Sequence, residues 1–132
     1  MNQKFFSPWS RKLFADCHVV EIGDSRLVTV SGMGSEDPTD GAILHVGDVK
    51  AQTVAAYEKI QTSLARAHIA LNEVIRVVVY LTDVRDKDIY ESIQAQYFDA
   101  DDMPVHTLLV VQALAWTGMC VEIEVTALSK NK

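Results

Sequence analysis

The chain is short of cysteine, of clustered positive charge and of long apolar runs, and each shortage removes a class of function. Two cysteines, Cys17 and Cys120, stand in 132 residues. They are too few to staple a fold, nothing points to an oxidising compartment, and a cytoplasmic setting with reduced thiols is expected. No apolar run approaches the roughly 20 residues that span a bilayer. The N-terminal MNQKFFSPWSRK has no apolar core of about 7–15 residues, so neither a secretory signal nor a membrane partner is expected. Twelve Lys and Arg against eighteen Asp and Glu give a formal net charge of −6. Phosphate neutralisation needs clustered cations, and here they are scattered, which argues against nucleic acid as the main partner. No His or Cys lies at metal-ligand spacing, and no Gly-Lys-Ser follows Gly32 and Gly34 as a phosphate loop would need. No metal and no cofactor is expected.

What remains is a globular chain, 48% hydrophobic and 23% charged, read as one domain over 1–132. Val19 to Ile22 and Leu27 to Ser31 flank Gly23-Asp24-Ser25-Arg26, the pattern of a hairpin. Glu36 to Gly41 is rich in turn formers. From Asp48, a candidate N-cap, apolar residues recur at helical spacing (Val49, Thr53, Ala56, Ile60, Leu64, Ala67), which predicts a helix to about His68. Glu73 to Leu81, EVIRVVVYL, reads as a strand buried on both faces. A second amphipathic helix should turn Ile89, Ile93, Tyr97 and Phe98 inward. Met103 to Leu128 reads as two strands joined by a tight turn at Thr117-Gly118.

The expected order is ββαβαββ, an α+β fold with a single mixed sheet and two helices on one face. The other face is then uncovered, and an apolar EVIRVVVYL strand implies that copies of the chain cover it.

The last strand carries the chemistry to look for. Val121-Glu122-Ile123-Glu124-Val125 alternates with period two and repeats Glu on its polar side, where neighbouring carboxylates repel unless each has a partner. Glu122 is the candidate acid/base, or alternatively a strand Glu paired across an interface. Glu124 has the same parity and reads as a rim or structural carboxylate. His106, after Pro104-Val105, could bind an anion when protonated, shuttle protons, or merely line an interface. Cys17-His18 cannot act together, because adjacent strand residues point to opposite faces. Gly32 and Gly34 allow close backbone approach. Met33, Trp9 and Trp116 could wall a pocket or be plain core.

These segments, taken in order, resemble the RidA/YjgF family of small trimeric enamine/imine deaminases. The resemblance rests on VTVSGMGS (28–35), VIRVVVYLTDVRD (74–86), MPVHTLLVV (103–111) and VEIEVTAL (121–128), and covers nearly the whole chain. It implies a chorismate-mutase-like homotrimer with small-molecule clefts at the subunit interfaces, each built half from the terminal strands and half from the neighbouring chain. It assigns the catalytic Glu to Glu122. The family arginine that grips a substrate carboxylate falls on His106, the Gln after Ser-Gly on Met33, and the Asn of the second helix on Glu91. The tyrosine before the first hairpin falls within Phe14 to His18, which makes Cys17 a candidate ligand contact beside Gly32 and Trp9. Ser7-Pro8-Trp9 is similar to the arginine-less branches. Two functions follow: a hydrolase or deaminase of an enamine, imine or related unsaturated amine such as an aminomuconate-like compound, or a non-catalytic ligand-binding trimer that lost the arginine. Ribonuclease activity fits an acidic chain poorly.

Overall fold

The computed structural model describes residues 2–130. Its strands are β1 (Gln3–Phe5), β2 (Cys17–Ile22), β3 (Ser25–Met33), β4 (Val74–Leu81), β5 (Val105–Val110) and β6 (Val121–Ser129), and its helices are α1 (Val49–Arg66) and α2 (Lys87–Gln94). All six strands join one sheet in the order β1-β2-β3-β6-β4-β5. The β4–β5 pair is parallel and the rest are antiparallel, so the sheet is mixed as expected.

Local chemistry accounts for most of this. Gly23 adopts φ +59°, a left-handed conformation that side chains disfavour, and lets two residues connect β2 to β3. The Asp48 carboxylate accepts a hydrogen bond from the Ala51 N–H (3.0 Å) and so caps α1. The helix closes at Arg66, two residues before the expected end, with His68 already at φ +59°.

The core lies between the helices and one face of the sheet. Val19, Val28, Val30, Val77, Val79, Ile123, Val125 and Ala127 meet Ala56, Tyr57, Ile60, Leu64 and Tyr90 there. Burying each aliphatic side chain contributes about 1.5–3 kcal/mol, which makes this contact the main source of stability.

Four expectations are corrected. β1 is an additional strand, short and largely exposed, so it lacks the alternation that would reveal it. The last two strands are not a hairpin, because β4 lies between them and a ten-residue stretch, 111–120, connects them. The open face of β4 is not uniformly apolar: Arg76 and half-buried Tyr80 flank buried Val78, and Ile75 sits at a bulge. On α2, Ile89 is 42% exposed and Tyr90 faces inward instead. Its hydroxyl meets that of Tyr57 at 2.6 Å, which satisfies two buried polar atoms at once.

One buried amide ties the two long loops to the helix layer. The Gln52 Nε2 group donates to the carbonyls of His45 (3.1 Å) and Gly118 (2.8 Å), and Oε1 accepts from the Cys120 N–H (2.7 Å). Gln52→Leu would take this partner from the part-buried Gly118 carbonyl and Cys120 N–H, at about 1–3 kcal/mol for each group left unpaired, while the His45 carbonyl keeps the Asp48 N–H. Urea denaturation should show at least that loss. A change below about 0.5 kcal/mol, the scale of a neutral surface substitution, would contradict the role assigned to this amide.

Candidate functional site

Residues opposite one another in neighbouring strands share a face of the sheet, so register decides which candidates can meet. Glu122 pairs with Tyr80 and Glu124 with Val78. All four project from the open face, away from the helices. His106 pairs with Val77 and Leu108 with Val79. Those four project from the helix-covered face. Glu122 and His106 of one chain therefore lie on opposite sides of its own sheet.

The Glu122 half is built around a glycine. A methyl group at Gly32 would come 2.1 Å from Glu122 Oε2, so the carboxyl occupies the volume that any other residue would fill. Burial pushes the Glu122 carboxyl above its ordinary range, with Glu36 and Glu124 adding to the rise and Lys59 opposing it. Glu124 is differently placed, since its Oε1 accepts from the Tyr80 hydroxyl at 2.6 Å. That bond occupies Glu124 and leaves Glu122 the more poised of the two carboxylates.

The His106 half lies at the α2–β5 edge. Its Nδ1 is 3.3 Å from the Pro104 carbonyl, which can only accept, so Nδ1 carries the proton. Nε2 is buried and has no hydrogen-bond partner among the described residues. Phe98 stands edge-on to the ring at 5.8 Å. Burial lowers the imidazole below its usual range, against the opposing effects of the Pro104 bond and of Glu91 on α2. At neutral pH the ring is uncharged and Nε2 offers a lone pair. Of the alternatives for His106, this favours the neutral ring over the protonated anion grip. Glu91 is near enough to act on His106 while pairing with Lys87 at 2.9 Å.

The other expected ligand contacts lie on the helix side of this chain. Cys17 is 1% exposed on the helix-covered face, where burial raises its thiol to about 11. Its neighbour His18 pairs with Thr29 on the open face and is the residue of that pair on the same side as Glu122. Met33 and Trp9 are buried and line a cavity of about 410 Å³ beside α1, with Asp16, Glu36, Lys59 and Arg66. There Lys59 Nζ lies 4.1 Å from the centre of the Trp9 ring. Tyr80 and Lys59 were not anticipated from the sequence. Tyr80 was legible, because it shares the parity of Arg76 and Val78 along β4; Lys59 was not, because it depends on how α1 packs. Among the described residues no group of three or more His, Cys, Asp or Glu could hold a metal ion, and no described helix is long and apolar enough to cross a membrane.

Comparison with known proteins agrees with this architecture. Residues 16–129 match the family described as Endoribonuclease L-PSP. A RutC family protein of Pyrococcus abyssi is 29% identical over 74% of this chain and 82% of its own length. An uncharacterized protein of Streptomyces coelicolor is 31% identical over 92% of this chain and 86% of its own. Among solved structures, Rv2704 of Mycobacterium tuberculosis, a member of the YjgF/YER057c/UK114 family, superposes with a TM-score of 0.78 at 27% identity. That match covers 96% of this chain and 98% of the other. RidA from the Antarctic bacterium Psychrobacter sp. PAMC 21119 superposes with a TM-score of 0.79 at 25% identity, covering 95% and 98%.

The placement of Cys17 has a direct check. A buried thiol held mostly protonated reacts slowly. Iodoacetamide at pH 8 should leave Cys17 unmodified in the folded protein and label it once urea unfolds the chain. Labelling of Cys17 in the native state would contradict its burial.

Proposed function

Because the chain belongs to the endoribonuclease L-PSP family, the group that includes the YjgF and RidA proteins, we propose that it is a small-molecule hydrolase or deaminase. Its substrate is an enamine, imine or related unsaturated amine, held in clefts between the copies of a homotrimer. One observation carries this reading. Glu122 has a carboxyl seated on a glycine and shifted upward by burial, which suits a group that must both accept and return a proton.

In this reading the imine is bound protonated at nitrogen, and the Glu122 carboxylate takes a proton from water as the oxygen adds to the carbon of the C=NH₂⁺ bond. The resulting tetrahedral carbon bears both OH and NH₂. The protonated Glu122 then returns its proton to the nitrogen, the C–N bond breaks and ammonia departs, and the hydroxyl gives up its proton to solvent so that a carbonyl remains. An imine and one water thus give a carbonyl compound and ammonia, with Glu122 unchanged at the end. An enamine enters the same sequence after protonation at carbon.

The trimer supplies the second wall. Glu122 and His106 are on opposite faces of one sheet, so a cleft that contains both takes one from each of two chains. The mixed open face supports such burial, since Leu27, Val78 and Leu128 lie beside polar Thr29, Thr126 and Tyr80. His106 also shapes the choice of substrate. A neutral ring with one lone pair cannot make the two-pronged charged contact of a guanidinium, a difference of about 1.5–3 kcal/mol for binding a carboxylate. Simple 2-imino acids therefore fit poorly, and a neutral or differently substituted amine fits better. The same loss supports a second reading, a trimer that binds such ligands without turning them over.

Ammonia release across a panel of imines and aminomuconate-like compounds separates the two. Glu122→Gln should keep the melting temperature and abolish release from whichever compound is turned over. If instead Glu122 only pins the assembly through a buried ion pair, the change should cost about 3–5 kcal/mol of stability. Activity would then fall only in step with the oligomer.

A further inference from the structure

Glu122 reaches its position because the segment beside it is held in place from the helix side. Past Gly32, the chain turns at Gly34, whose N–H donates to Glu36 Oε1 at 2.8 Å. A methyl group at Gly34 would lie 3.2 Å from that Glu36 oxygen and 3.2 Å from the Val121 carbonyl, immediately before Glu122. Gly34 thus sits between the Glu36 carboxylate and β6. Glu36 is 4% exposed, and a buried carboxylate is costly unless paired. Lys59 of α1 supplies the pairing: its Nζ lies 2.8 Å from Glu36 Oε1 and donates also to the Glu36 carbonyl at 3.1 Å. The ammonium lies over the Trp9 ring, which helps to hold the charge in place.

We propose that Lys59 and Glu36 are positioning residues for Glu122. They clamp the Gly32–Gly34 segment against β6 and together set the charge that the carboxyl experiences. The proposal deepens the reading of Glu122 as the working group and rests on it for its purpose, but its electrostatic content can be tested without a substrate.

The charged groups around Glu122 are few enough to name. Glu36 comes from the loop after β3, Lys59 from α1, Glu124 from the same strand and Tyr80 from β4. Asp16 acts on Lys59, and Arg76 acts on Tyr80. Glu124 and Tyr80 are bound to each other, and among the described residues Lys59 is the cation that acts on Glu122. Lys59 favours the ionised carboxylate and Glu36 disfavours it. Neutralising them must therefore move the titration of Glu122 in opposite directions.

The experiment is a carboxyl ¹³C NMR titration of the full chain, with the Glu122 signal assigned from its absence in Glu122→Gln. Lys59→Met should raise the Glu122 midpoint, Glu36→Gln should lower it, and Lys59→Arg should keep it near the wild-type value. A merely structural clamp would behave differently, since loosening the segment hydrates Glu122 and lowers its midpoint in both neutral variants. That same-sign result, or no movement in either, would overturn the proposal. Should Lys59→Met fail to fold, the nearly isosteric Glu36→Gln and the charge-keeping Lys59→Arg still decide it. Opposite shifts without any ammonia release would keep this inference and reject the deaminase reading.

Discussion

The two-faced character of β6 is the constraint on which the rest of the molecule depends. This strand is hydrogen-bonded to β3 on one side and β4 on the other, at the centre of the sheet. Val121, Ile123, Val125 and Ala127 are at most 2% exposed beneath the helices, while Glu122, Glu124, Thr126 and Leu128 take the alternate positions. A slip of one residue would send two carboxylates into the core and four aliphatic side chains out of it. The apolar row therefore fixes the register, and the register in turn places Glu122 over Gly32 and opposite Tyr80. The position of the carboxyl follows from packing on the opposite face.

Burial and neighbouring charge then divide the roles of the two carboxylates. Glu124 is held by a hydroxyl donor, whereas Glu122 is desolvated among more negative than positive charge. The imidazole of His106 is displaced in the complementary sense, held neutral by burial with one nitrogen unpartnered among the described residues. A carboxyl shifted upward and an imidazole shifted downward suit neutral or cationic nitrogen chemistry better than the gripping of a free carboxylate.

Much of the fold was legible because periodicity reports burial directly. The β2–β3 hairpin, the Asp48 cap, α1 and the face of β6 all follow from local pattern. What was not legible required knowledge of distant partners. β5 and β6 are neighbours in sequence, and adjacency suggested a hairpin; β5 instead pairs in parallel with β4, a choice made by the α2 crossover. Ile89 looked like the inward residue, but α2 is only eight residues long, and the Tyr57 hydroxyl rotates the preference toward Tyr90. The site shows the same division. Alternation correctly separates Cys17 from His18, yet only the sheet reveals that Cys17 is the buried one. Met33 belongs to the helix side for the same reason, opposite Ile123, while Trp9, Gln52 and Lys59 act through loops that no local pattern connects to them.

The central claim is that Glu122 of one chain and His106 of another face the same cleft. Chemical cross-linking tests it most directly, since it needs no substrate. In a Cys120→Ser background, chains carrying Glu122→Cys are mixed with chains carrying His106→Cys and treated with a short bis-maleimide, Cys17 being buried in both. The account predicts cross-linked pairs containing one chain of each kind, formed in the mixture and not in either variant alone. Absence of such pairs under conditions where the chains are associated would contradict it, because the two halves of the candidate site would then never meet.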